Sequence, residues 1–284
     1  MTDEQIEYWN GPAAQRWVTH ELELDRALAP FSAAALERAA LQPGQHVLDV
    51  GCGCGATSLA IAEQVTRAGT VLGLDVSTSM LSRARERAVG VPQLSFALGD
   101  AARFVSTPER GAFDVIFSRF GVMFFTEPLA AFAHLRGQLR AAGRFVFVCW
   151  RALADNPWTR LPLEIVQSLI PDAAPAAPVG APGPFAFAER ARLEHLLSSA
   201  GFGRMSIERV DAPVALSTGD SPADFAAAVD FAQFAGPAAR LLVGASPALV
   251  AEVRSALSKG LERYRTPQGT LLTGSTWLVE AYAT

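Results

Sequence analysis

Val47-Leu48-Asp49-Val50-Gly51-Cys52-Gly53-Cys54-Gly55 joins an apolar run, an acid inside that run and a turn of alternating glycines. The apolar, partly β-branched residues suit a strand buried on both faces. The glycines permit a tight turn and let backbone approach a ligand where a Cβ would collide. Ala56 to Val65 then repeats apolar residues near helical spacing. The unit reads strand, glycine loop, helix, and points to a ligand of the mononucleotide type.

Gly51, Gly53 and Ala56 also satisfy the relaxed dinucleotide pattern G-x-G-x-x-G/A, so a nicotinamide-dependent oxidoreductase stays open on the glycines alone. Asp49 separates the readings. A carboxylate beside the loop repels two phosphates seated on a helix N-terminus, but it suits a ligand that carries an ammonium and a sulfonium. S-adenosylmethionine is such a ligand. Thr70 to Asp75 reads as a second strand ending in an acid about twenty residues past the glycine turn, where a ribose-binding carboxylate is expected. Leu94 to Ala101 reads as a third strand, with Asp100 at its carboxyl end able to accept from an adenine amino group. Each acid alone is an ordinary turn or cap residue. Their joint placement after successive strands favours a nucleoside.

VLDVGCGCG, GLDVS followed by Met80-Leu81, LGDA, and Phe113-Asp114-Val115-Ile116-Phe117-Ser118 resemble the class I S-adenosylmethionine-dependent methyltransferases, particularly the ubiquinone and menaquinone C-methyltransferases and related small-molecule enzymes. The resemblance covers roughly residues 5 to 150. It implies an α/β Rossmann-like fold, with a mostly parallel seven-stranded sheet and helices on both faces. It also implies Gly51 and Gly53 against the methionine part of the cofactor, Asp75 and Val76 at the ribose, Met80 near the adenine, and Asp100 with Ala101 at the adenine edge. Ser118 would follow the fourth strand at the mouth of the pocket, and Trp9 and Trp17 would lie in the N-terminal helix that covers the cofactor.

Half of the 284 residues are apolar, 18% are charged and the net charge is −4, a balance that permits a large core and argues against a broad nucleic-acid footprint. The acidic start without an apolar h-region, and the shortness of Phe145 to Trp150 as the longest strand-like apolar run, lead to the expectation of a cytoplasmic protein without a membrane partner. Three cysteines offer neither a disulfide framework nor a zinc site. Nothing in the sequence speaks to oligomeric state.

Residues 1–40 read as an N-terminal helical cap, with Gly11-Pro12 marking a start and Pro30 a break. Residues 41–216 read as the cofactor-binding core. It includes a helix from Leu129 to Leu139, a turn at Ala141-Ala142-Gly143-Arg144, a helix from Glu189 to Ala200, and a strand from Met205 to Leu216 interrupted near Pro213. The Pro- and Ala-rich stretch 171–184 reads as a lid loop. Residues 217–267 form a helical insertion over the carboxyl ends of the sheet, and 268–284 supply the last core strand.

Displacement at a sulfonium depends mainly on alignment and exclusion of water, so few catalytic side chains are required. His46, His134 and His195 lie away from the expected ligand. His20, three residues after Trp17 on the same helical face, is the candidate general base. Arg119, Phe120 and Met123 after the fourth strand, with Asn156 and Trp158 after the fifth, are the candidate substrate contacts, and Arg119 is a candidate anchor for an anion. The stretch from Ser118 lacks the Asn/Asp-Pro-Pro-aromatic turn of the family's amino-methylating members. The expected activity is therefore methyl transfer to an oxygen or carbon of a small, largely apolar or aromatic acceptor, leaving S-adenosylhomocysteine. A non-catalytic module that only binds the cofactor is a third reading.

Overall fold

The computed structural model describes residues 1–107, 112–170 and 180–283. The glycine motif opens from β1 (His46–Val50), which pairs in parallel with β2 (Thr70–Asp75) on one side and β4 (Phe113–Arg119) on the other. β3 (Leu94–Leu98) extends the sheet beyond β2, and β5 (Leu139–Trp150) extends it beyond β4. A long antiparallel strand, β8 (Gly269–Ala283), is inserted between β5 and β6 (Phe202–Ala215). The order is β3-β2-β1-β4-β5-β8-β6, and the two-residue β7 (Arg265–Thr266) forms a hairpin with the start of β8. The chain leaves β1 towards β2 and later returns to β4 on its other flank, so strand order reverses there. In open parallel sheets the crevice at the carboxyl ends of such strands is where ligands bind.

Period-two alternation in β5 shows how the sheet is covered. Phe145 and Phe147 pack on Phe132 of α6 (Pro128–Gln138), while Trp150 packs on Phe31 of α3 (Glu21–Ala39). Odd and even residues point to opposite faces, so α3 and α6 sandwich the sheet. α4 (Ala56–Val65) and α5 (Thr78–Arg87) follow β1 and β2, and α8 (Arg190–Ser199) packs beside α6 against β6.

The first forty residues are three helices, α1 (Asp3–Asn10), α2 (Pro12–Thr19) and α3. The expected break at Pro30 is absent, because α3 runs through it. Leu24, Leu28, Phe31, Ala35 and Ala39 are buried along one face, and that continuous packing outweighs the single missing N–H of proline. Pro213 likewise does not interrupt β6. It pairs with Thr273, and β6 is an edge strand, where a proline can leave its lost donor on the open side. The turn expected at Ala141–Arg144 is a bulge within β5: the register with β4 jumps from Phe113↔Leu139 to Val115↔Arg144, and Ala142 takes a φ of 60°.

Between β5 and α8 lies α7 (Pro157–Leu169), opened by a proline in its first turn, with Trp158, Thr159, Pro162 and Val166 buried. Between β6 and β7 come α9 (Pro222–Phe234), α10 (Ala238–Leu241) and α11 (Pro247–Leu261). Ser221 and Asp224 form a reciprocal capping box at the start of α9, and Ser246 caps α11. Most of the stretch expected to be a lid, 171–179, lies outside the described residues. No helix among the described residues is long and apolar enough to cross a membrane.

Candidate functional site

The glycine loop is shaped by two contacts that tolerate no side chain. Gly51 has a φ of +70° and faces the turn after β4, where a Cβ on Gly51 would stand 2.7 Å from Gly121 Cα. Gly53, at φ +54°, donates its N–H to Asp75 Oδ2 at 2.8 Å. A Cβ there would meet only Met80 Sδ, at 3.7 Å. Its outer side is open space at the wall of a deep cavity.

That cavity runs along the carboxyl ends of β1, β2, β4 and β5. Gly51, Gly53, Asp75, Val76, Met80, Asp100 and Ala101 line one end, and Phe120, Met123, Trp150, Trp158, Phe231 and Phe234 the other. Trp9, Trp17 and Arg119 also line it. Asp75 Oδ1 accepts from Ser77 N at 2.9 Å. With Gly53 N–H on the other oxygen, this carboxylate ties the glycine loop to the β2–α5 turn while facing the cavity. Burial raises its pKa. Asp100 Oδ1 accepts from Ala102 N at 2.9 Å, and its other oxygen meets the amino group of Met1.

Four of the sequence-predicted residues stand outside the lining. Asp49 is fully buried beneath the loop, where its Oδ2 accepts from Thr57 Oγ1 at 2.7 Å and Ser58 Oγ at 2.6 Å. Its Oδ1 is buried without a hydrogen bond, and desolvation raises its pKa. Ser118 is also fully buried: its Oγ donates to Val50 O at 2.8 Å and accepts from Gly121 N at 3.2 Å, fastening the two crossing loops. Asn156 gives its amide to the carbonyls of Arg151, Ala152 and Ser275 and accepts Ser275 N–H at 2.8 Å, locking the start of α7 onto β8. His20 stands at the α2–α3 junction with its ring stacked on Phe234 at 3.8 Å, behind the aromatic wall. It is not placed to take a proton from a molecule in the cavity.

At the far end the aromatics form a continuous wall. Phe120 stacks on Trp150 at 4.2 Å with 9° between the rings, and Trp158 packs on Trp150 at 5.1 Å. Phe120 reaches that stack with a φ of 63°, a left-handed conformation that costs a bulky residue on the order of 1–3 kcal/mol. Trp9 meets Trp17 and Phe124 edge-on. Met80, Cys54 and Ala14 pack beneath these tryptophans. The Cys52 thiol is pushed well above its ordinary range and Cys54 to about 12, both chiefly by burial, so neither is a thiolate nucleophile.

Sequence reasoning missed the charges of the cap. Glu21 binds Arg83 of α5 through both oxygens, an interaction that lowers the Glu21 pKa. Asp25 takes Arg87 at 2.9 Å and Arg119 at 3.4 Å, so Arg119 is already paired. Leu24, Leu28, Thr159 and the insertion residues Phe231, Phe234 and Arg240 are further lining residues without a motif. The signal available for them was the helical repeat of apolar residues, which marks a buried face but not what that face meets.

Residues 47–143 match the methyltransferase domain family. Nocamycin O-methyltransferase of Saccharothrix syringae is 32% identical over 57% of this chain and 63% of its own length. Aklanonic acid methyltransferase DauC of Streptomyces sp. strain C5 is 34% identical over 37% of this chain and 47% of its own. The ubiquinone/menaquinone biosynthesis C-methyltransferase UbiE of Paraburkholderia phymatum is 33% identical over 43% of this chain and 49% of its own. Each similarity spans less than two thirds of the relative. Among solved structures, Haemonchus contortus phosphoethanolamine N-methyltransferase 2 in complex with S-adenosyl-L-methionine superposes with a TM-score of 0.59 at 16% identity, covering 98% of this chain and 60% of that one. The YcgJ protein of Bacillus subtilis gives 0.56 at 16% identity, covering 89% and 97%.

Over residues 47–143 the chain carries a methyltransferase domain.

The cavity has groups that suit S-adenosylmethionine on its own geometry. A Cβ on Gly53 would have only the Met80 thioether within 4 Å, and two carboxylates face the cavity from the ends of β2 and β3. Such carboxylates accept from hydroxyl and amino groups of a nucleoside. Asp49 is linked to this end only through the structure of the loop, since its carboxylate is sealed beneath it.

Proposed function

We propose that this protein transfers a methyl group from S-adenosylmethionine to an oxygen or carbon of a small, largely aromatic or apolar acceptor. The observation that carries this reading is the continuity of one cavity from the glycine loop, Asp75 and Asp100 to the wall of Phe120, Trp150, Trp158, Phe231 and Phe234. When bound, S-adenosylmethionine supplies a methyl on a sulfonium that is already activated for in-line displacement. Gly51 and Gly53 would lie against its amino-acid end, Asp75 and Val76 would hold the ribose, and Met80, Asp100 and Ala101 the adenine. Trp9 and Trp17 cover it and exclude water, while Phe120, Met123 and Trp158 orient the acceptor. The chain's contribution is alignment and dryness, worth several powers of ten without a dedicated base. The missing Asn/Asp-Pro-Pro-aromatic turn after β4 supports an oxygen or carbon acceptor over a nitrogen. The relatives' names are divided, O- and C-methyltransferases standing beside phosphoethanolamine N-methyltransferases, so that preference rests on the turn.

Calorimetric titration with S-adenosylhomocysteine and with NAD tests the cofactor. Binding of the first and not the second is expected, and the reverse would overturn the reading. Methyl transfer from labelled cofactor to a panel of phenols, enols and quinols then tests the acceptor class. Turnover confined to amines would refute the assignment to oxygen or carbon.

A further inference from the structure

The carboxylates that line the cavity all have polar partners. Glu21 binds Arg83, Asp25 binds Arg87 and Arg119, Asp75 accepts two backbone N–H groups, and Asp100 accepts from Ala102 N and the Met1 amino group. The cations are not all matched. Arg119 is answered by Asp25, but Arg16 lines the cavity, half-buried, without a hydrogen-bond or ion-pair partner among the described residues. Arg240 also lines it, and its guanidinium lies 4.4 Å over the Tyr8 ring with Nε at 3.2 Å from Tyr8 Oη, so no carboxylate opposes it.

In α2, Ala14 and Trp17, three apart, pack on Cys54 and Met80 beside the glycine loop. Ala13 and Arg16 lie on the adjacent face, which continues at the end of the helix to His20, and His20 stacks on Phe234 of the insertion. Arg16 stands one turn before His20, on the side of α2 turned away from Ala14, and lines the same cavity as Phe234 and Arg240.

Resting on the methyltransferase reading, we propose that the acceptor is an organic anion: an apolar or aromatic body whose carboxylate, or ionised enol of like shape, is held by Arg16 with Arg240 at the seam between cap and insertion. A planar, delocalised oxyanion matches the guanidinium fork, and the wall of Phe231, Phe234 and Trp158 takes the body. An aromatic neutral molecule would fill the same wall but leave Arg16 unanswered. The anchoring role expected of Arg119 passes to Arg16, because Asp25 already occupies Arg119.

The probe pair is naphthalene carboxylate and its neutral carboxamide, titrated calorimetrically into the protein saturated with S-adenosylhomocysteine. The carboxylate should bind about two- to fivefold more tightly, the range of a partly solvated charge pair, and the preference should shrink as salt rises. Arg16→Gln should abolish the preference and leave carboxamide affinity unchanged, Arg16→Lys should restore part of it, and Arg240→Gln should weaken it. S-adenosylhomocysteine affinity should be the same in wild type and Arg16→Gln. Equal affinity for the two probes, no binding of either, or a preference untouched by Arg16→Gln would overturn the proposal. So would a loss of S-adenosylhomocysteine affinity in Arg16→Gln, which would assign the guanidinium to the cofactor's own carboxylate. If S-adenosylhomocysteine itself fails to bind wild type, it is the methyltransferase reading that fails.

Discussion

A single methyl added at three glycines separates the roles that the loop combines. Gly51, Gly53 and Gly90 all have left-handed φ, +70°, +54° and +88°, so alanine at each costs about 1–2 kcal/mol of backbone strain. Gly90 has nothing within 4 Å of the added atom and measures that strain alone. Gly51→Ala adds a collision with backbone, since the new atom would stand 2.7 Å from Gly121 Cα. The crossing cannot yield easily: Ser118 Oγ bonds Val50 O on one side and Gly121 N on the other, and Gly51 N–H donates to Leu74 O at 2.8 Å. Overpacking of this kind adds about 1–3 kcal/mol, for a sum of about 2–5 kcal/mol. Gly53→Ala meets only the flexible Met80 thioether and should match Gly90→Ala in stability.

At about 2 °C per kcal/mol for a chain of this size, the expected losses in Tm are about 2–4 °C for Gly90→Ala and Gly53→Ala, and about 4–10 °C for Gly51→Ala, by calorimetry or thermal shift. The decisive contrast is in binding. The Gly53 methyl would project into the cavity, so S-adenosylhomocysteine affinity should fall about 5- to 100-fold in a variant whose stability equals that of Gly90→Ala. Unchanged affinity in Gly53→Ala would mean that left-handed φ alone explains the glycine and that the loop is not the cofactor cradle. A Gly51→Ala variant no less stable than Gly90→Ala would refute the tight crossing of the two loops.

The first half of the fold was legible because each signal was local. Strand, glycine loop and helix follow one another within twenty residues, and β2 with Asp75 and β3 with Asp100 repeat the pattern. Where the sequence misled, the cause was tertiary. Pro30 marks a break by its own chemistry, but the buried face of α3 decides otherwise. Pro213 breaks a central strand, yet nothing local states that β6 lies at the edge. α7 has a proline start and a buried stripe at helical spacing, but with Pro162 inside it the pattern reads locally as broken, and only packing reveals the helix.

The site divides in the same way. Gly51 and Gly53 of the loop line the cavity, since the strand ends fix them. Asp49, Ser118 and Asn156 have the right chemistry for ligands, but the chain spends that chemistry on its own backbone and hydroxyls. Polarity in a sequence does not say whether a partner is internal. Arg119 and Asp25 show this most directly: 94 positions apart, they meet only because α3 lies across the end of β4. Arg16 shows the converse, a cation in a cavity whose acids are already taken.

Three further perturbations test the wiring. Asp75→Asn replaces one acceptor with a donor facing the N–H of Gly53 or Ser77, so S-adenosylhomocysteine affinity should fall by about 1.5–3 kcal/mol; calorimetry at unchanged affinity would reduce Asp75 to a turn residue. Asn156→Ala unpairs Ser275 N–H and removes the amide donor to the Arg151, Ala152 and Ser275 carbonyls and should cost about 1–3 kcal/mol in denaturant unfolding, with S-adenosylhomocysteine affinity unchanged; reduced affinity at equal stability would return it to the binding site. Asp49→Asn carries a sign that follows from burial. The Asp49 carboxyl has its pKa raised in the folded protein by desolvation, so the folded state takes up a proton more readily than the unfolded chain. Its contribution to stability is then fully present below the ordinary carboxylate pKa and is lost as pH rises through the raised one. The amide of Asp49→Asn carries no charge to desolvate, and its oxygen can still accept from Thr57 and Ser58. The variant should therefore gain stability relative to wild type as pH is raised from 4 towards neutrality, as read from urea midpoints at fixed ionic strength. If the difference runs the other way, the ionised carboxylate is a net stabiliser, held by Thr57, Ser58 and the nearby charge of Arg119 against its burial.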